Sequence, residues 1–269
     1  MNTNRTGKRS PLLFFVLVFA LTFPFWVLSR VIRAEGLPDN LPVTDAAATF
    51  VPLLAASILV YREEGWNGVK KLLRKTFDYG KIRQKKWYIP ILFLMPFLYI
   101  LTYTVMRLIG LPIPHSWKIP LTTPLIFLAF FAAAAGEELG YMGYAIDPLQ
   151  ERGSALKTGL IVGSIWALWH FPSMIQIGQT PALMAWGFFV TIAFRLLYIW
   201  LYNNTGGSVF AVILFHAISN TGRTIFPGGR SQYELANAAV GYSIIILAAL
   251  TVTLLWGSKT LARYRFSRE

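Results

Sequence analysis

The sequence contains no cysteine among its 269 residues, and it has only 12 acidic residues against 25 lysines and arginines. Without cysteine, the chain has no disulfide framework, no thiolate metal ligand and no cysteine nucleophile. Charged residues make up 14% of the chain and hydrophobic residues 55%, whereas a soluble domain is about one quarter charged. The composition therefore excludes an ordinary soluble domain and indicates a polytopic membrane protein.

The excess of positive charge, +13 at pH 7, has a different meaning in a membrane protein than in a soluble one. In a soluble protein it would suggest nucleic acid, but the sequence has no nucleic-acid-binding motif. In a membrane protein, lysine and arginine accumulate in cytoplasmic loops that face anionic lipid. We therefore expect the lipid bilayer, and not nucleic acid, as the partner of these charges.

Eight apolar stretches approach the length of about 20 helical residues that a bilayer requires. They cover residues 11–31, 46–61, 87–109, 120–146, 157–175, 182–202, 208–225 and 235–257. The pattern predicts an all-α bundle of about eight transmembrane helices. Because the sequence has no internal repeat and no long linker, we expect a single membrane domain over residues 1–269.

The connections differ in charge, and this difference predicts the orientation. Segment 62–86 carries nine lysines and arginines against three acidic residues, and both termini are also basic. The positive-inside rule places all three in the cytoplasm, and we expect a prokaryotic plasma membrane. Within segment 62–86 one helical face carries Trp66, Val69, Leu73 and Phe77. This spacing predicts an amphipathic helix on the cytoplasmic surface, with a solvated basic loop as the alternative.

Polar residues inside apolar spans are costly and are therefore candidates for function. They occur in the fourth to seventh spans, as Glu137, Glu138, His170, Arg195, His216 and Asn220. A helical rise of 1.5 Å per residue places the carboxylate of the fourth span and the two histidines at similar depths, about 12–20 Å from the cytoplasmic side. Three helices thus bring polar groups to one level.

The local spacing of these residues separates their roles. His216 and Asn220 are four residues apart and share a helical face, whereas Glu137 and Glu138 point about 100° apart and cannot aim at one point. A stripe of Gly136, Gly140 and Gly143 lets neighbouring helices approach closely. We expect this approach to bring the carboxylate toward the imidazoles.

Two hydrolytic schemes fit these residue types. In one, a desolvated carboxylate beside a histidine deprotonates a water, and a His–Asn pair stabilises the oxyanion. In the other, Glu137, His170 and His216 bind a Zn²⁺ ion that activates water. The residues alone leave both schemes open.

Three motifs in order, Glu-Glu at 137–138, Trp-x-x-Trp-His ending at His170 and His-x-x-x-Asn from His216, resemble the CPBP intramembrane protease family. This is the CAAX-protease and bacteriocin-processing group, which includes prenyl-protein proteases of the Rce type. The resemblance covers roughly residues 120–225, which would be the catalytic core. It implies an intramembrane endopeptidase acting on membrane-associated or lipid-anchored proteins or peptides, with prenylation of the substrate left open.

By this resemblance, Glu137 is the catalytic carboxylate and His170 is its partner in activating water. His216 and Asn220 form the pair that stabilises the oxyanion, and Glu138 orients the site. The family has been described both as glutamate-type and as metal-dependent, so no cofactor is assured and Zn²⁺ stays an alternative.

One position departs from the family pattern. The first motif usually ends in an arginine four residues after the second glutamate, where this chain has Met142. Such an arginine could pair with Glu138 on the same helical face. We expect Arg195, the cation within the sixth span, to take this role.

Two further functions compete with a protease. A catalytically impaired family member could act in bacteriocin immunity or as a membrane scaffold, and the missing motif arginine leaves room for this. A proton-coupled transporter of small substrates could use the same buried Glu and His residues. The sequence shows no inverted repeat of the kind that many transporters have, which disfavours the transporter.

Overall fold

The computed structural model describes residues 9–31, 43–228 and 235–262, and within these ranges the regular structure is entirely helical. The α-helices are α1 (Pro11–Leu28), α2 (Val43–Ala48), α3 (Val51–Arg74), α4 (Tyr88–Leu108), α5 (Thr123–Gly140), α6 (Ile146–Gln150), α7 (Ala155–Gln176), α8 (Pro181–Asn204), α9 (Val209–Ile225) and α10 (Leu235–Trp256). A π-helix, Tyr141–Ala145, joins α5 to α6. The predicted all-α class is confirmed.

Within the described ranges, seven helical stretches are long and apolar enough to cross a bilayer, and α9 is an apolar helix of shorter length. Together they account for the eight predicted spans, and the protein is a polytopic helical bundle. The largest difference lies in the second span. It was expected over residues 46–61, but α3 extends to Arg74.

The predicted amphipathic helix corresponds to the helical stretch of α3 that follows Gly65. Gly65 adopts φ +64° and ψ −162° inside α3, a non-helical conformation that glycine tolerates, so the helix is interrupted by a kink there and a second helical stretch follows. The predicted apolar face is also divided. Val69 is buried, whereas Trp66 and Phe77 are 66% and 63% exposed.

Hydroxyl side chains define where four helices begin. Ser10, Ser154, Thr180 and Ser208 precede α1, α7, α8 and α9, and each accepts a hydrogen bond from the backbone N–H three residues later. Such caps satisfy backbone donors that the first helical turn leaves free. Because the caps fix the first residue of α7, α8 and α9, they also fix the depth at which the polar residues of these helices lie in the bundle.

One end of the bundle, which we call the basic end, consists of segment 62–87, the α8–α9 turn and residues 257–262. Direct contacts hold these parts together. The ammonium of Lys81 donates to the carbonyl of Gly207 at 2.9 Å, and Ser208 Oγ donates to Asp78 Oδ1 at 2.9 Å. The side-chain amide of Asn203 donates to the carbonyl of Thr260 at 2.7 Å.

The other end, which we call the opposite end, contains the C-terminal ends of α1, α4, α7 and α9. Gln176 Nε2 near the end of α7 donates to the carbonyl of Trp26 in α1 at 2.7 Å. Trp117, in the α4–α5 connection, packs on Phe226 with ring centroids 5.4 Å apart. Because successive long helices along the chain run in opposite directions, the chain passes back and forth between the basic end and the opposite end.

The half of the bundle toward the basic end is closely packed. Six of its large aromatic and aliphatic side chains are exposed by at most 1%: Phe14, Tyr141, Met142, Tyr144, Ile199 and Phe215. The ring of Phe14 from α1 meets the rings of Tyr141 and Tyr144 with centroid distances of 5.6 Å each. This packing seals the protein beneath the polar residues of α5, α7 and α9.

Candidate active site

The polar site begins at the C-terminal end of α5, where small residues allow close packing. A Cβ atom at Gly136 would lie 2.7 Å from the carbonyl oxygen of Thr49, and one at Gly140 would lie 2.5 Å from that of Pro52. The glycine stripe therefore lets helices approach closely, as predicted, but its partner is the start of α3. It does not face α9, the helix of His216, which packs on another face of α5.

Glu137 is 5% exposed, and one of its carboxylate oxygens is held by a tryptophan. The indole Nε1–H of Trp166 donates to Glu137 Oε2 at 2.8 Å. No side chain among the described residues donates to the other oxygen, and Glu137 lines the large cavity of the bundle. The carboxylate is thus fixed at one oxygen while the other is left for a water or a substrate.

Glu138 points to a different set of partners, as the angle between adjacent helical residues requires. Its Oε2 accepts a hydrogen bond from Arg195 Nη1 at 2.6 Å, and its Oε1 lies 3.1 Å from His216 Nδ1. The side chains of Glu138 and Arg195 are both completely buried. The chain Arg195–Glu138–His216 therefore joins α8, α5 and α9 through hydrogen bonds.

The guanidinium of Arg195 is enclosed by aromatic rings. Its central carbon lies 4.4 Å from the ring centroid of Trp166, 4.9 Å from that of Tyr141 and 5.2 Å from that of Tyr198. Ring faces attract cations, more strongly when water is excluded. Met142, which occupies the position of the motif arginine, is fully buried, and the cation beside Glu138 comes from α8.

His170 is oriented by the backbone of its own helix. Its Nδ1 lies 2.8 Å from the carbonyl oxygen of Trp166, and because a carbonyl can only accept, Nδ1 carries the hydrogen. In the neutral ring Nε2 then holds the lone pair. The ring also packs edge-on against Trp169 at 4.9 Å, and the indole N–H of Trp169 donates to Thr22 Oγ1 at 2.9 Å.

The two imidazoles approach the same tryptophan from two helices. The ring centroid of Trp166 lies 5.4 Å from that of His170 and 5.6 Å from that of His216. Asn220, one helical turn after His216, lines the same cavity as Glu137 and both histidines. The structure thus brings all four predicted catalytic side chains to one cavity, while Glu138 and Arg195 lie behind His216.

The cavity has a volume of about 1160 Å³, larger than the ~300–1,000 Å³ of most small-molecule pockets. Apolar and aromatic residues from α4, α5, α7, α8, α9 and α10 form most of its wall. Such a space can hold a segment of peptide chain together with an apolar group.

The donor set was also expected to suit Zn²⁺. Within residues 9–31, 43–228 and 235–262, no group of three or more histidine, aspartate or glutamate side chains is arranged to hold a metal ion.

Three aromatic residues of the site were not singled out from the sequence as functional. Trp166 donates to Glu137 and contacts both histidines. Tyr141 and Tyr198 cover Arg195. The sequence places Trp166 one helical turn before His170, so it could have been predicted to lie near the site. The sequence does not show which helix the indole N–H of Trp166 faces.

Comparison with known proteins agrees with the motifs. Residues 119–222 match the family model described as type II CAAX prenyl endopeptidase Rce1-like. The chain is also 26% identical over 229 residues to a CAAX prenyl protease 2 of Methanococcus maripaludis, an alignment that covers 79% of this chain and 83% of the relative. The resemblance expected from the three motifs is confirmed, and both matches support an endopeptidase of the CAAX prenyl protease type.

Proposed function

We propose that this integral membrane protein is an endopeptidase that hydrolyses a peptide bond inside the bilayer with a water activated by Glu137 and His170. One observation carries the proposal. A carboxylate and two imidazoles from three helices, together with Asn220, line one cavity whose floor is sealed by packed side chains. Its support from similarity is the match to CAAX prenyl endopeptidases.

Glu137 and His170 suit the activation of water. Trp166 fixes one oxygen of Glu137, so the other oxygen can accept a proton from water as the water oxygen attacks the substrate carbonyl carbon. His170 presents Nε2 as a second acceptor. When the C–N bond breaks, the leaving nitrogen takes the proton back, which yields a new carboxyl terminus and an amine. Positioned acid–base groups of this kind contribute roughly 10²–10⁴-fold to rate.

His216 and Asn220 suit the stabilisation of the oxyanion. The side-chain amide of Asn220 is a donor, and His216 becomes a second donor through Nε2 when its ring is protonated. Glu138 accepts from the other ring nitrogen and thereby orients the imidazole. Arg195 holds Glu138 in place, which makes Glu138 and Arg195 positioning residues.

The substrate class follows from the site and from the similarity. A site inside the membrane bundle acts on a membrane-associated or lipid-anchored protein or peptide, and the apolar wall of the cavity suits a lipid group such as a prenyl chain. The scheme with Zn²⁺ bound by Glu137, His170 and His216 is the alternative within the same reaction class. Metal analysis of the purified protein separates the two schemes, since the zinc scheme requires about one ion per chain.

The test uses the purified full chain in detergent with a fluorogenic membrane-anchored peptide. We expect the variants E137Q, H170A and H216A each to lose at least 10²-fold in kcat/KM, the lower range for acid–base groups. Matched controls are E151Q and H115A, which change an exposed glutamate and an exposed histidine. Both should retain full activity.

Two outcomes would reject the proposal. If E137Q leaves turnover unchanged, Glu137 is not the catalytic carboxylate. Absence of turnover in the wild-type protein, with every member of a peptide series, instead favours the non-catalytic role in bacteriocin immunity or scaffolding.

A further inference from the structure

A tyrosine of α4 reaches the helix that carries His216 and Asn220. The hydroxyl of Tyr99 donates a hydrogen bond to the backbone carbonyl oxygen of Ser219 in α9 at 2.9 Å. Tyr99 is 5% exposed, and it lines the same cavity as Asn220. In a buried place of low dielectric constant a hydrogen bond is stronger than in water. The hydroxyl therefore ties α4 to α9 beside the catalytic groups.

The acceptor of this hydrogen bond belongs to the peptide group that leads into Asn220. The carbonyl of Ser219 and the backbone nitrogen of Asn220 are parts of one planar unit, which does not rotate about its C–N bond. A hydrogen bond to this oxygen therefore holds the plane to which the Cα atom of Asn220 is attached. The direction of the Asn220 side-chain amide depends on the position of that plane.

The sequence of α9 leaves space for the ring of Tyr99. A Cβ atom at Gly222 would lie 2.7 Å from two carbon atoms of this ring, so a larger residue would displace the ring from its place beside Ser219. The ring also packs on Phe226, with centroids 6.0 Å apart. Ser219, Gly222 and Phe226 follow one another at the intervals of a single helical face. That face holds both the ring and the hydroxyl of Tyr99.

The two donors of the proposed oxyanion pair are thus held in different ways. His216 is oriented through its side chain, because its Nδ1 lies 3.1 Å from Glu138 Oε1. Asn220 is held through its backbone, by Tyr99 at the preceding carbonyl. Donors stabilise an oxyanion most when they are fixed in place before the charge develops, so both contacts serve the same step.

We propose that Tyr99 is a positioning residue for the side-chain amide of Asn220 and, through it, for the stabilisation of the oxyanion. The inference rests on the proposed function, which assigns the oxyanion to His216 and Asn220. Tyr99 lies before residues 119–222, which match the family model, and outside the three motifs. Its hydroxyl keeps its proton directed at Ser219 and takes no part in proton transfer.

The first test measures kcat and KM with the purified full chain in detergent and the fluorogenic membrane-anchored peptide. Y99F removes the hydroxyl and keeps the ring. We expect kcat to fall about fivefold, the size of one hydrogen bond, with KM unchanged because the ground state does not use the oxyanion donors. The matched control is Y103F, since Tyr103, one turn later in α4, donates to the carbonyl of His115 at 2.8 Å. It should retain full kcat.

A double-mutant cycle separates positioning from a general loss of structure. N220A should lose at least about 10²-fold in kcat, as expected for an oxyanion donor. Adding Y99F to N220A should change kcat by less than about twofold, because no amide is left to position. Losses that multiply fully in the double variant would overturn the proposal. A raised KM with unchanged kcat in Y99F would also overturn it and would assign Tyr99 to substrate contact.

A second measurement needs no turnover. The protein is labelled with isotopic asparagine, and the backbone amide signal of Asn220 is identified in the NMR spectrum by its disappearance in N220A. Y99F should shift this signal and Y103F should not, and the same result is expected in an E137Q background. An unmoved signal in Y99F would overturn the proposal. A wild-type protein without turnover would instead reject the proposed function, so the two failures are distinguishable.

Discussion

The two halves of the bundle differ in packing, and the catalytic residues lie at their boundary. Toward the basic end, Phe14, Met142 and Phe215 are completely buried, whereas the other half encloses a cavity of about 1160 Å³. The packed half holds Glu138 and Arg195 rigidly behind His216, and the hollow half leaves room for a substrate. Preorganised charges of this kind need little rearrangement during the reaction, so rigidity on one side and access on the other serve the same chemistry.

The largest expected effect concerns the ion pair in the packed half. R195M leaves the Glu138 carboxylate buried without its cation, and breaking such a pair costs about 3–5 kcal/mol. We expect a matching loss in the free energy of unfolding, measured in detergent, and a loss of activity similar to that of E138Q.

The double variant R195M/E138Q is the control for this pair. Because the uncompensated charge is removed, it should be more stable than R195M alone. Stability losses that add fully in the double variant would show that the two side chains do not act as a unit.

A smaller loss of stability is expected from adding a methyl group at Gly140, where the packing leaves no space. G140A would place a Cβ 2.5 Å from the backbone oxygen of Pro52, and overpacking costs about 1–3 kcal/mol. Thermal unfolding should show a clear decrease in Tm. G80A, whose Cβ would meet nothing within 4 Å, is the matched control; equal Tm values for the two variants would contradict close packing at α3.

The next effect concerns the boundary itself. W166F removes the N–H that Trp166 donates to Glu137, and a hydrogen bond to a charged group contributes about 1.5 kcal/mol or more. We expect kcat to fall about tenfold with little change in KM. Trp200 has a buried indole N–H with no hydrogen-bond partner among the described residues, so W200F should leave kcat unchanged. An unchanged kcat in W166F would show that the hydrogen bond from Trp166 to Glu137 does not contribute to catalysis.

The smallest effect is expected in the hollow half. A Cβ at Gly187 would approach only the methyl group of Met174, at 2.6 Å, and this flexible end can move into the cavity. G187A should therefore change the free energy of unfolding by less than about 0.5 kcal/mol, as most tolerated substitutions do. A loss as large as that of G140A would mean that this half is packed after all.

The sequence was sufficient for the helical class, the approximate spans and the set of polar residues. Apolar runs predict transmembrane helices one at a time, because in lipid every backbone N–H and C=O group must form its hydrogen bond within its own helical segment. The link between Glu138 and Arg195 could also be expected, since Arg195 is the cation inside its span and the motif arginine is replaced by Met142. The break between the second span and the helix that follows it also agrees with the structure, since the non-helical Gly65 interrupts α3 there.

What the sequence determined by itself is a bilayer-spanning bundle with a carboxylate, two imidazoles and an amide on three of its helices. The tertiary structure decided which group faces which. Trp166 holds Glu137, the glycine stripe meets α3, and the cavity lies on the side away from the basic end. The physical reason is that helical periodicity fixes directions only within one helix, whereas contacts between helices depend on rotations and packing that are distant in the sequence.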